Sequence, residues 1–63
     1  MNKYLVKYNR SGEVTELEVK AETNYGAILS GLGVMAKKYG VSKSSLILYF
    51  STENLNVEAK LII

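Results

Sequence analysis

The sequence predicts one small α+β domain whose elements follow the order ββαββ. Three patterns predict this fold: period-two alternation near both ends of the chain, an apolar stripe of helical period in the middle, and a short, fully apolar run after that stripe. The 63 residues suffice for one domain, residues 1–63, and not for two. We expect a four-stranded sheet with one helix packed on one face, because each element must bury its apolar side against another layer.

The first two strands form a predicted hairpin. Apolar residues alternate with lysines in the first strand and with glutamates in the second. The residues predicted to point inward are Tyr4, Val6, Tyr8, Thr15, Leu17, Val19 and Ala21. In the intervening turn, Gly12 can adopt the positive φ that a tight hairpin needs. On the outward face, the lysines of the first strand can pair with the glutamates of the second.

A helix is predicted from about residue 24 to residue 39. Thr23 and Asn24 are both good N-cap residues, and Gly40 stands where a left-handed C-cap is wanted. The apolar stripe consists of Tyr25, Ile28, Leu29, Leu32, Met35, Ala36 and Tyr39. Glycines within these turns each cost about 1 kcal/mol relative to alanine, so the middle of the helix is its least stable part.

Two further strands are predicted after the helix. Residues 46–50, Leu-Ile-Leu-Tyr-Phe, are apolar throughout, which is typical of a strand buried on both faces. Residues 51–54, Ser-Thr-Glu-Asn, form a predicted hairpin loop. In the last strand, the odd-numbered residues from Leu55 to Ile63 are expected to point toward the core.

Three stretches of the chain resemble a known fold. They are Tyr4-Leu5-Val6-Lys7, then Val14-Thr15-Glu16-Leu17-Glu18-Val19, and, after the helix, Gly40-Val41-Ser42-Lys43-Ser44-Ser45-Leu46-Ile47-Leu48-Tyr49-Phe50. In spacing and residue class they look like the first three strands and the helix of the ubiquitin-like β-grasp fold, which implies a β-grasp-like sheet. The last residues, Leu61-Ile62-Ile63, replace the diglycine tail of ubiquitin-like modifiers, so the resemblance does not imply conjugation.

The composition argues against catalysis. The chain has no histidine, cysteine or tryptophan, so it lacks the side chains of most nucleophilic, metal and proton-shuttle chemistry. Its acidic residues mostly alternate outward on strands or lie in turns, and no glycine-rich phosphate loop follows a strand. We therefore expect no enzymatic activity, no metal site and no cofactor. Since no apolar stretch is long enough for a secretory signal or a membrane span, we expect a cytoplasmic protein without a membrane partner.

The outer face of the predicted sheet is the first candidate for protein binding. An apolar cluster with a charged rim is typical of an interaction surface, although single exposed apolar residues are normal. The residues expected to share this face are Leu5, Ile47, Tyr49 and Ile62.

The back of the predicted helix is the second candidate. Small residues let another backbone come close, unless this flank is simply a surface that nothing contacts. The small residues in question are Gly26, Ser30, Gly31 and Gly33.

A group of lysines suggests nucleic-acid binding as the alternative function. Lys37, Lys38 and Lys43 could meet phosphates, and the five tyrosines could stack on bases. The same lysines are also explained as a solvated helix end. Four of the tyrosines, Tyr4, Tyr8, Tyr25 and Tyr39, are expected to face the core instead.

The leading hypothesis is a small, non-catalytic protein-binding module. It would act as an inhibitor, an adaptor or an assembly component, and would bind a partner protein or form a homodimer. Its small size and its lack of typical catalytic side chains suit a product of a phage or a mobile element.

Overall fold

The computed structural model describes residues 1–51 and 54–62, and it contains three strands and two helices. Thr52 and Glu53, in the predicted hairpin loop, and Ile63, predicted to point inward, lie outside the described residues. The elements are β1 (Asn2–Arg10), β2 (Glu13–Ala21), α1 (Asn24–Tyr39), α2 (Lys43–Tyr49) and β3 (Val57–Leu61). The chain is therefore an α+β domain, but its order in the described residues is ββααβ.

The predicted hairpin is confirmed. β1 and β2 pair antiparallel from Asn2 opposite Ala21 to Arg10 opposite Glu13. The turn uses a φ of 51° at Ser11 and of 93° at Gly12, the two positive values that match a two-residue turn to the twist of its strands. The side-chain oxygen of Asn9 accepts a hydrogen bond from the Gly12 N–H at 2.9 Å and holds the turn closed.

The sheet has the strand order β2-β1-β3, and β3 also runs antiparallel to β1. The backbone N–H of Asn9 donates to the carbonyl of Asn56, and the N–H of Ile62 donates to the carbonyl of Lys3. Odd-numbered residues of β1 therefore bond to β3 and even-numbered ones to β2, because backbone groups alternate in direction along a strand. β2 and β3 are the two edges of the sheet.

The predicted bounds and caps of α1 are confirmed. Thr23 is its N-cap, with the side-chain oxygen accepting a hydrogen bond from the Gly26 N–H at 3.0 Å. Gly40 closes the helix in the left-handed conformation, with a φ of 67°. The helix lies across the face of β1 that carries Tyr4, Val6 and Tyr8, all of which are buried as predicted.

The face that α1 buries is rotated from the predicted stripe. Its buried residues are Ala27, Ile28, Gly31, Leu32 and Met35. Two small residues, Ala27 and Gly31, are included because α1 approaches the large aromatic side chains of β1 closely. Tyr25, predicted to face the core, is 66% exposed.

The predicted third strand is wrong, because its residues belong to α2. After the link of Gly40, Val41 and Ser42, the Ser42 side chain caps a new helix by accepting a hydrogen bond from the Ser45 N–H at 3.2 Å. Leu46 and Phe50, four residues apart, then share the side that packs on the core. In the described part of the chain, three antiparallel strands therefore take the place of the predicted four-stranded, β-grasp-like sheet.

The last strand is shorter than predicted. Leu55 lies before it in a turn, with a φ of 57°, and is 89% exposed. Val57 is buried, as predicted, and Ala59 is partly buried against the core. Leu61 faces the same side, opposite Tyr4, but remains 53% exposed because β3 is an edge strand.

Candidate protein-interaction surface

The four apolar residues predicted to share the outer face of the sheet do not lie together. Leu5 lies on that face, between Glu18 of β2 and Lys60 of β3. Ile62 directly follows β3. Ile47 and Tyr49 instead lie on α2, which packs against α1. Their expected position on the sheet followed from the incorrect third strand.

The outer face of the sheet is predominantly charged. The Lys3 ammonium lies 3.7 Å from the Glu18 carboxylate, and the Lys7 ammonium lies 3.6 Å from Glu16. These are the predicted lysine–glutamate pairs. Both pairs are exposed, so each stabilises the fold by at most about 1 kcal/mol. Leu5 is half-buried among these charges, and Ile62, two positions after Lys60, follows on the same face with its N–H bonded to the Lys3 carbonyl.

The small residues of α1 do not form one open flank. Gly31 is buried beneath Tyr8, where an added Cβ would collide with the tyrosine hydroxyl. A Cβ at Gly26 would meet the capping oxygen of Thr23 at 3.1 Å, and one at Gly33 would lie 3.7 Å from the Lys43 ammonium. Of the four, only Ser30 is exposed. Gly31 is therefore explained by contact within the chain rather than by a partner.

Tyr8 is the centre of the core. Its hydroxyl donates a buried hydrogen bond of 2.7 Å to the carbonyl oxygen of Ile28 in α1. The ring packs edge-on against Phe50, with the centroids 5.3 Å apart. Burial raises the pKa of the Tyr8 phenol far above its ordinary value of 10.0, since the charged phenolate would lose its hydration. Tyr8 therefore joins the strand, the first helix and the segment after the second helix.

An apolar groove lies between α1, α2 and the start of β3. Its volume is about 260 Å³. Its lining residues are Tyr25, Ile28, Leu29, Leu32, Ile47, Phe50, Ser51 and Val57. Tyr25 and Ile47 are 66% and 37% exposed, so apolar surface continues from the groove to its rim. Of the predicted site residues, only Ile47 lines this groove.

Sequence reasoning missed the groove because it depends on α2. The signal for α2 was the Ser42 cap followed by Leu46 and Phe50 at a spacing of four. A prediction of a helix over residues 43–49 would have placed Ile47 on the side of α2 that faces α1.

The lysines of the nucleic-acid alternative lie around the end of α1. Lys37 and Lys38 are in its last turn, and the Lys38 ammonium lies 5.6 Å from the centre of the Tyr39 ring. Lys43, at the start of α2, extends toward Gly33. Of the tyrosines predicted to face the core, Tyr4 and Tyr8 are buried, whereas Tyr25 and Tyr39 are exposed.

Within residues 1–51 and 54–62, no three acidic side chains gather as candidate metal ligands. In the same part of the chain, no helix has the length and apolar character needed to cross a membrane. Comparison of the chain with protein-family models, with curated proteins and with solved structures finds no match.

Proposed function

We propose that this protein is a small, non-catalytic binding module that receives apolar side chains of a partner protein in the groove between α1, α2 and β3. The observation that carries the proposal is the apolar lining of this groove next to the exposed Tyr25 and Ile47. Apolar anchors that fill such pockets supply much of the free energy of protein–protein binding.

The size of the groove favours side chains over a metabolite. Its 260 Å³ is below the roughly 300–1,000 Å³ typical of small-molecule sites, and mainly apolar residues line it. One or two apolar side chains from a partner would bury Tyr25 and Ile47 further. Binding of this kind would suit an inhibitor, an adaptor or an assembly component in the cytoplasm.

Capture from an extract of the source cells tests the groove with a matched pair of variants on α2. Ile47 lines the groove, whereas its neighbour Leu48 is 82% exposed and does not. We expect a specific partner to be retained by the wild-type chain and by Leu48→Ser, and to be lost with Ile47→Ser and with Tyr25→Ser. Equal retention by all four chains would contradict the proposal, provided that circular dichroism shows each of them folded.

Nucleic-acid binding is the second candidate, supported by the position of Lys43 beside α1, near the helix end that carries Lys37 and Lys38. Binding through these lysines would weaken steeply as salt rises, because each phosphate contact releases counterions. Binding in an apolar groove would not. Retention of an oligonucleotide that disappears at high salt, and with the double variant Lys37→Glu with Lys43→Glu, would favour this alternative.

A further inference from the structure

The β3 edge of the sheet offers backbone groups that are free to pair. Asn56 and Ile62, on either side of β3, bond to β1, and the register places Glu58 and Lys60 between them in the same phase. The N–H and C=O groups of Val57, Ala59 and Leu61 therefore point away from β1. Within the described residues, β1 is the only strand that pairs with β3.

We propose that β3 pairs antiparallel with β3 of a second copy, around a two-fold axis at Ala59. In this register Ala59 faces the partner's Ala59, and Val57 faces the partner's Leu61. Each of these residues carries free backbone groups, so every facing pair exchanges both of its hydrogen bonds. The two copies then share a continuous six-stranded sheet, twice the three strands of one copy.

The charges on β3 select this register. Glu58 faces the partner's Lys60, and Lys60 faces the partner's Glu58, so two opposite-charge pairs form on the outer face of the sheet. Directly opposed side chains of opposite charge stabilise paired strands, and like charges destabilise them. A two-fold axis at Glu58 would instead oppose two glutamates, and one at Lys60 would oppose two lysines.

The same pairing covers exposed apolar surface on the helix side. A two-fold axis through an antiparallel pair of this kind is perpendicular to the sheet, so both copies of α1 lie on the same face. Leu61, 53% exposed in one copy, then lies beside the partner's Val57. The burial of Leu61 adds apolar stabilisation that backbone pairing alone would lack.

The pairing can be tested separately from the proposed partner groove, although Val57 belongs to both. It rests on the backbone and charges of β3, whereas the groove rests on Tyr25 and Ile47. If the chain proved monomeric, the dimer proposal would be contradicted and the groove proposal would stand.

Charge reversal tests the dimer through the mass measured by sedimentation or light scattering at several concentrations. We expect the wild-type chain to reach a mass of about twice 7.0 kDa as concentration rises. E58K opposes lysines with lysines, and K60E opposes glutamates with glutamates. Each variant alone should weaken dimerisation by about tenfold to a hundredfold. An equimolar mixture should dimerise again, because lysines of one chain then face glutamates of the other.

E16K is the matched control. Glu16 and Glu58 flank the same Lys7 from opposite sides, so E16K makes the same charge change next to the same lysine but on the β2 edge. We expect E16K to dimerise as the wild type does. Circular dichroism would confirm that each variant folds. A wild-type chain that is monomeric up to its solubility limit, or a dimer insensitive to E58K and K60E, would overturn the proposal.

Discussion

Tyr8 reaches the carbonyl of Ile28 because Gly31, one turn further along α1, has no side chain. The Tyr8 hydroxyl occupies the space that a Cβ at Gly31 would need, and the ring carbons Cζ and Cε2 would lie 2.9 and 3.1 Å from that Cβ. Because Phe50 packs against the edge of the same ring, Tyr8 has little freedom to move aside. Gly31 thus fixes how closely α1 approaches the sheet.

Gly31→Ala is expected to destabilise the protein by up to about 2 kcal/mol, because an overpacking cost of about 1–3 kcal/mol at Tyr8 exceeds the gain of about 1 kcal/mol in helix propensity. Gly33→Ala is the control. A Cβ there would make an ordinary 3.7 Å contact with Lys43, so this variant should stabilise the protein by up to about 1 kcal/mol. Urea unfolding of both variants measures the difference. Equal stabilisation by the two alanines would contradict the close contact between Gly31 and Tyr8.

Tyr8→Phe is expected to cost about 0.5–1.5 kcal/mol, since it removes the buried hydrogen bond to Ile28. The raised pKa adds a pH dependence. The folded state retains the phenol proton at a pH where the unfolded chain loses it, so the stability from Tyr8 is complete below pH 10 and falls as the pH rises further. The decline is up to about 1.4 kcal/mol per pH unit. Denaturant unfolding between pH 8 and about 11 should show it in the wild type and a smaller decline in Tyr8→Phe.

Asn56 is expected to stabilise the junction between α2 and β3. Its side-chain N–H donates to the carbonyl of Tyr49 at 2.7 Å, and its side-chain oxygen accepts from the Ser51 N–H at 3.1 Å. Asn56→Ala should therefore cost about 1–3 kcal/mol. Asn54, which is more exposed, donates one side-chain bond to the same carbonyl at 2.9 Å, so Asn54→Ala should cost less. Thermal unfolding distinguishes them, and an equal loss would argue against a role for Asn56 at this junction.

The hairpin and α1 could be predicted because local signals agree there. Alternation places Tyr4, Val6 and Tyr8 on one face, and Thr23 and Gly40 mark the helix ends. Residues 46–50 carry no such local signal. A fully apolar run shows neither the period of two of a strand nor the period of about 3.6 of a helix. The prediction of a strand overlooked the Ser42 cap, which indicates the start of a helix.

The candidate site was harder to predict than the fold. The position of Leu5 on the outer face follows from alternation alone, but the positions of Ile47 and Tyr49 depend on the type of element. For Gly31, the sequence shows a cost in helix stability but not its cause. That cause is a residue of β1 more than twenty positions earlier, and only the packing of α1 on the sheet brings the two together.

The two edges of the sheet differ in which residues they present. The free groups of β2 belong to residues whose side chains face outward, such as Glu16 and Glu18, whereas those of β3 belong to residues that face α1. An antiparallel join of β2 in one molecule to β3 of the next would turn every second molecule upside down. Joining β2 to itself near its middle would set glutamate against glutamate. Antiparallel growth through alternating β2 and β3 edges would therefore place successive helices on opposite faces, whereas pairing of β3 with β3 keeps both copies of α1 on one face.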